Sequence, residues 1–379
     1  MIDAQSYAQL KQEIAERTLE DCGLLDKLRQ EIQPLQNEVR RIQPRIATSV
    51  SLVGADGGNN TIQFDPFLIQ LIRVVDSANN EYCLEAITPT TDISKLSDNQ
   101  FYEDGTPRTA LGKMMAYLGV SHLTKLCQWI RLSEGQPVSP SWVKAYRDLV
   151  EWAILFTIVR EKDFGTDTLV VHDGLLRSKV FAGELFYKYR QGLDEGIERH
   201  KRNRRKIYLA GVAKHSKVLS RYRLAMALEG ILTTDYAAYV EIPREIEQEA
   251  YVWSEYARGD EEVIEGGEIN KYVAGKMFFV KFGDRPRDPI WPVDIYLPQV
   301  PEVQTILGYM LADAINGFPV PMYPLCLQKA HENAAMVDFD FYILQDQIFE
   351  GIRAVLGDEA PSLDIFRLQD LDPAQARYQ

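Results

Sequence analysis

The stretch Thr168-Leu169-Val170-Val171-His172-Asp173-Gly174 decides how the fold is read. Its first five residues form a short apolar run bounded by charged and turn-forming neighbours, the pattern of a strand buried in the middle of a sheet. The run ends in Asp-Gly. A carboxylate at the end of a strand lies on the rim of the sheet, where side chains of neighbouring strands converge, and the glycine permits a tight turn. A second stretch repeats the pattern: residues 48–55 read as a largely apolar strand running into Asp56-Gly57-Gly58. Asp56 and Asp173 are therefore expected to meet above neighbouring strands and share a divalent cation. Mg²⁺ and Mn²⁺ prefer hard oxygen ligands, so a carboxylate pair suits either. Taken singly, Asp-Gly more often marks an ordinary turn.

Outward from these two stretches, strand and helix patterns alternate. Residues 61–75 have strand character, with Pro66 as the place for a break, and the polar, turn-rich residues 92–109 read as an exposed loop. Helical patterns cover 111–132 and 141–160, the second started by Ser139-Pro140-Ser141. A long polar helix with a basic end follows Asp173-Gly174, and then a strand over 207–212. A late pair of strands, 276–282 and 289–297, precedes helices over 303–316 and 325–336. This alternation gives a mixed α/β domain.

Residues 4 to about 44 read as helical. Leu28, Ile32, Leu35, Val39 and Ile42 step by four and three, the spacing of a coiled-coil seam, while Gly23 and Pro34 argue for a kink or two shorter helices. Such a segment either docks a second copy or partner, or packs on its own domain. We divide the chain into an N-terminal helical, coiled-coil-like extension (1–45), a main domain (46–367) and a loosely tied tail (368–379).

With 379 residues, 46% of them apolar and 26% charged, the chain has the balance of a soluble globular protein. No apolar run reaches the ~20 residues of a membrane span. Met1-Ile2-Asp3-Ala4-Gln5 lacks the basic and apolar regions of a signal peptide, so a cytoplasmic protein is expected. Cys22, Cys83, Cys127 and Cys326 are scattered and form no zinc pattern, so they read as buried free thiols. The net charge of −13 excludes a uniformly basic, DNA-gripping surface, but not a nuclease whose site is lined with acids.

Four further features carry chemistry. Glu151 lies in the apolar helical stretch Asp148-Leu149-Val150-Glu151-Trp152-Ala153-Ile154; it either faces water or is paired with a metal. His331 shares a helix face with Leu327 and Ala334, where it serves as a metal ligand, a proton carrier or a packing residue. Tyr323, just before that helix, is either an aromatic packing residue or a hydroxyl on the same rim. Residues 199–206 hold six Lys or Arg in eight, and Lys214 follows the strand Tyr208-Leu209-Ala210-Gly211-Val212-Ala213. This basic run is either a solvated helix end or a phosphate-binding stretch, with Lys201, Arg202, Arg204, Arg205, Lys206 and Lys214 as DNA contacts. Lys214, at the expected rim, could hold a scissile phosphate.

Taken in order, these pieces resemble one family. Strand-Asp-Gly, a helical Glu, strand-Asp-Gly, Ala-Gly-Val-x-Lys and Tyr-Pro-x6-His are similar to the NurA nucleases, over about residues 51–336. The resemblance implies an RNase H-like mixed sheet flanked by helices. It also implies metal-dependent hydrolysis of DNA from an end, by exonuclease and possible endonuclease action. A preference for Mn²⁺ over Mg²⁺, a homodimer, and a HerA-like hexameric ATPase translocase as partner in end processing, repair or phage defence belong to the same implication. By position, Asp56, Glu151, Asp173 and His331 would bind metal, Tyr323 would support them and Lys214 would contact phosphate. Two departures stand out. The family's first motif reads Asp-Gly-Ser where this chain has Asp56-Gly57-Gly58, and the glutamate has no sharp motif, which leaves Glu161 as the fallback to Glu151. The competing readings are a non-catalytic adaptor that guides DNA on an ATPase ring and an RNA-directed enzyme of the wider RNase H-like class.

Overall fold

The computed structural model describes residues 3–20, 22–45, 50–64, 67–133, 136–137, 139, 141–251, 272–335 and 338–357. Helices α1 (Ala4–Glu20) and α2 (Cys22–Ile32) lead through a 3-10 segment (Gln33–Glu38) into a two-residue strand, β1 (Arg40–Arg41). Strands β2 (Val50–Phe64), β3 (Phe67–Asp76) and β4 (Glu81–Ile87) follow as an antiparallel meander. Next come α3 (Ile93–Asp98), α4 (Ala110–Leu118), α5 (Leu123–Leu126) and a small hairpin of β5 (Leu132–Ser133) and β6 (Gln136–Pro137). The long α6 (Trp142–Glu161) precedes β7 (Asp167–Asp173), α7 (Leu185–Arg202), β8 (Ile207–Val212) and α8 (Lys217–Leu228). After β9 (Ala238–Glu241) and α9 (Arg244–Ala250), the hairpin of β10 (Gly275–Lys281) and β11 (Ile290–Tyr296) completes the strands. Helices α10 (Val303–Ala314), α11 (Leu325–Ala334) and α12 (Asp338–Leu356) end the described chain. Residues 46–49, Pro66 and the tail 368–379, about which the sequence raised expectations, lie outside the described residues.

One nine-stranded sheet, ordered β1-β9-β10-β11-β8-β7-β2-β3-β4, organises these elements. Strands β2, β7 and β8 are parallel neighbours, and β3 and β4 extend the sheet antiparallel from β2. A three-strand meander continued on its first strand by two parallel strands is the RNase H-like arrangement, here flanked by helices and widened by β11, β10, β9 and β1. Strands β7 and β8 are buried on both faces, as their apolar runs require. Because strand side chains alternate, each strand feeds two cores. Val170 packs with Trp152, Phe156 and Tyr189 of α6 and α7, whereas Leu169 and Val171 pack with Ile306, Met310 and Leu327 of α10 and α11.

The N-terminal seam turns inward. Leu28, Ile32 and Leu35 are buried against Tyr222 and Met226 of α8, and Arg40–Arg41 pairs with β9. Burying three such side chains contributes roughly 1.5–3 kcal/mol each, enough to hold this stretch on its own domain without a second chain. Helix α1 differs: Tyr7, Leu10, Ile14 and Leu19 are exposed.

Three local expectations change. Residues 92–109 contain α3, because the Asp92 side chain caps the amides of Ser94 and Lys95 and Ile93 and Leu96 are buried. The expected helix over 111–132 stops at Gly119, whose φ of 76° gives it the left-handed C-cap that glycine adopts without a Cβ penalty. Of the four free thiols, Cys127 and Cys326 are buried, Cys83 is half-buried and Cys22 is exposed. Among the described residues, no helix is long and apolar enough to cross a membrane.

The β3–β4 turn holds a buried acid that the sequence did not single out. Asp76 accepts bonds from the Ala78 and Asn80 amides, the Asn80 side chain, Tyr82 and Lys162 Nζ at 3.0 Å. Burial pushes its carboxyl up, but the Asn80 and Lys162 bonds outweigh burial and leave it below the ordinary value. A depressed folded pKa stabilises the fold above the unfolded value of about 3.9, and that stability is lost as pH falls through the folded pKa. Asp76→Asn is therefore expected to cost about 2 kcal/mol at pH 7 and less at pH 3, where the unfolded chain has already taken up the proton. Urea unfolding at both pH values measures this, and an equal cost at both would refute it.

Candidate active site

Asp173, the last residue of β7, faces the α10–α11 side with Leu169 and Val171, and only 15% of its side chain is exposed. Both carboxylate oxygens are engaged. Lys214 Nζ lies 2.9 Å from Oδ2, and the Tyr323 hydroxyl donates to Oδ1 at 3.2 Å. Lys214 arrives by the parallel register: Asp173 pairs with Val212, the end of β8, and Lys214 lies two residues on. Tyr323 is fixed by its neighbours. Trp291 Nε1 donates to the Met322 carbonyl at 2.7 Å, Gln328 Nε2 donates to the Tyr323 carbonyl at 2.9 Å, and the Trp291 and Tyr323 rings meet edge-on at 4.7 Å.

The turn after Asp173 is built for close approach. Gly174 has φ of 142°, a conformation suited to glycine, and its carbonyl lies over Gly211 of β8, where a Cβ would come within 2.3 Å. A side chain at position 211 would push away the turn that holds Asp173.

Asp56 reaches the same rim by a route other than the expected one. Strand β2 does not end in Asp-Gly; it runs on through Asp56-Gly57-Gly58 to Phe64, paired with β3 throughout. Its pairing with β7 ends at Ala55–His172. The backbone of Asp56 therefore lies beside that of Asp173 on the adjacent strand, about 4.8 Å away in the pairing direction. Asp56 is at the rim because β7 stops, not because β2 does.

Helix α11 crosses β2, β3 and β7. Arg73 Nη1 donates to the Asn333 carbonyl at 2.8 Å, and Asn333 Nδ2 donates to the carbonyl of Asp76, which is paired with Ala55. The last turn of α11, with His331, is thereby anchored next to Asp56. His331 lines a cleft of about 880 Å³ with Lys214, His215, Trp291, Phe318 and Tyr323.

Glu151 approaches from the other face of the sheet. It lies on a polar stripe of α6 with Lys144, Arg147 and Asp148, its Oε1 3.3 Å from Arg147 Nε. The next residue, Trp152, packs at 4.9 Å against the His172 ring, which brings this turn of α6 to the end of β7. Burial drives His172 down to about 4, so this ring is neutral near pH 7. The alternative, Glu161, pairs with Lys113 about 15 Å further along α6. The basic run stands apart. Lys206 bonds Asp167 at the start of β7, about 20 Å from Asp173 at its end, and Lys201 and Lys206 pair with Glu198 and Glu302.

The structure thus gathers Asp173, Lys214, Tyr323 and His331 on one rim, with the backbone of Asp56 beside them. The described side chains include no cluster of three His, Cys, Asp or Glu able to hold a metal ion. The fit of a hard divalent cation rests on donor chemistry: a carboxylate already holding one cationic group, with a second aspartate on the adjacent strand.

No family model matches the chain, and no curated protein matches it. Its fold is similar to solved structures described as NurA. The crystal structure of the NurA nuclease from Sulfolobus solfataricus is 13% identical, with 95% of this chain and 98% of that one covered and a TM-score of 0.47. A crystal structure of NurA with manganese is 13% identical, with 91% and 98% covered and a TM-score of 0.39. One of NurA bound to dAMP and manganese is 13% identical, with 86% and 94% covered and a TM-score of 0.37.

Proposed function

We propose that the chain is a metal-dependent DNA nuclease that hydrolyses phosphodiester bonds at DNA ends. The observation that carries this reading is Asp173, held at the end of β7 by Lys214 and Tyr323, with Asp56 set beside it by register. Asp56 and Asp173 would hold Mn²⁺ or Mg²⁺, with Glu151 and His331 as further ligands. The ion supplies Lewis-acid activation of the phosphate and of water. Lys214 would do the electrostatic work: its half-exposed ammonium at the rim could bind a non-bridging phosphate oxygen. Tyr323 keeps the Asp173 carboxylate in one orientation. His331, on the cleft wall, would complete that ligand set from the α11 side.

Beyond the chemistry, we propose that the enzyme works in the cytoplasm as a homodimer with a HerA-like ATPase that feeds it DNA, in end processing, repair or phage defence. End-labelled DNA with purified protein is expected to be stable in EDTA and to be degraded on adding Mn²⁺ or Mg²⁺. Cleavage that persists in EDTA would refute the metal requirement. DNA binding without cleavage under any metal, alone or with the ATPase, would favour the non-catalytic adaptor, a role that the exposed apolar face of α1 would suit.

A further inference from the structure

The cleft beside Asp173 does not end at Lys214. A second cleft of about 620 Å³ shares Lys214, His215 and Trp291 with the first and runs past Ser220 to Arg223 and Arg287. The two halves differ in character. The first has an apolar lip, where Phe318 is 79% exposed and Val320 is exposed beside it. The second is cationic. Arg223 and Arg287 are both exposed, and neither has an acidic partner among the described residues. Other arginines of this chain, such as Arg29, Arg73, Arg160 and Arg199, are engaged in ion pairs. The one acid on this wall, Asp288, accepts the Arg285 amide at 2.8 Å. A phosphate arriving here would displace no ion-pair partner.

Cations along a groove with an exposed aromatic at its mouth are what a single nucleic-acid strand requires: positive charge for the backbone and a ring for a base. We propose that the two clefts form one track for a single DNA strand, passing Lys214 at the reacting phosphate. Arg223 and Arg287 hold phosphates on one side of it, and Phe318 stacks on a base at the other. This rests on the nuclease reading for the place of the reacting phosphate. It also moves the DNA contacts from the basic run 201–206, at the far end of β8, to residues that no run in the sequence marks.

The test is fluorescence anisotropy with a labelled oligo-dT in EDTA, where no cleavage competes, across a salt series. Arg223→Glu/Arg287→Glu is expected to weaken binding at least tenfold. It should also flatten the slope of log K against log salt by about 1.4, the value for two phosphates on a single strand. Phe318→Ala should weaken binding about tenfold with the slope unchanged. Arg108→Glu/Lys125→Glu, of equal charge change on exposed residues of the α4–α5 region, controls for net charge and should bind within twofold of the parent. Thermal melts confirm that the variants fold. Three results would overturn the track: no single-strand binding by the parent, an arginine variant no weaker than the control, or a duplex held as tightly by the same residues. A parent that binds as expected and cleaves nothing with any metal would overturn the nuclease reading while supporting the track.

Discussion

Asp173→Asn is expected to reduce metal-dependent cleavage at least about a thousandfold, about 4 kcal/mol in the activation barrier, while leaving the fold intact. Asparagine keeps the shape and removes the charge. Both Asp173 oxygens accept hydrogen bonds, from Lys214 and from Tyr323, and an amide can accept only at one of its two positions. The other position then points a donor at a donor, and no anionic oxygen remains for a divalent ion. Stability should hardly change. The Lys214 side chain is 44% exposed, and ion pairs as accessible as this contribute at most about 1 kcal/mol. Single-turnover cleavage of end-labelled DNA, paired with a thermal melt, separates the two effects. Cleavage above a tenth of the parent's by a folded Asp173→Asn would remove Asp173 from the chemistry. A large fall in melting temperature would instead show that the Lys214 pair holds the rim together.

How far this site could be read in advance depends on whether a residue's role is local. Strand β7 was legible because burial on both faces forces an apolar run, and Asp173 was legible as the residue ending it. The backbone of Asp56 lies on the rim for a reason that its own motif does not show. Asp-Gly-Gly reads as a turn, yet the ladder with β3 continues through it, and only the register with β7 shows where the rim falls. The basic run 199–206 was legible as a charged helix end. Which end of the sheet it occupies is a property of topology, and that topology puts it opposite Asp173. Arg223 and Arg287 are 64 residues apart and meet only because β11 pairs with β8, so no window along the chain contains both.

The same limit hides the group on which the turn after Asp173 depends. Arg177 is fully buried. It donates to both oxygens of Asp294 on β11, at 2.6 and 2.9 Å, and to Glu247 of α9 at 2.6 Å, while Arg244 binds Glu247 at 2.9 Å. Burial opposes the charge on Arg177, but the two carboxylates outweigh it and hold its pKa well above the ordinary value; burial pushes Glu247 up against the pull of both arginines. Only Asp294, an acid inside the apolar stretch Ile290–Tyr296, hinted at such a group. Arg177→Met takes the guanidinium from the buried Asp294 and leaves Glu247 with Arg244, and breaking a buried pair in this way costs about 3–5 kcal/mol. Replacing Arg177, Asp294, Glu247 and Arg244 together by apolar residues of similar volume should recover much of that loss, because the desolvation of all four charges disappears. Activity should not recover with it. Through Arg177 the segment 174–178 is clamped to β11, and that segment carries the Gly174 turn that orients Asp173. Urea unfolding of the single and quadruple variants, read beside their cleavage rates, checks both halves. A stable, fully active Arg177→Met would show that the turn holds its shape without the buried charges.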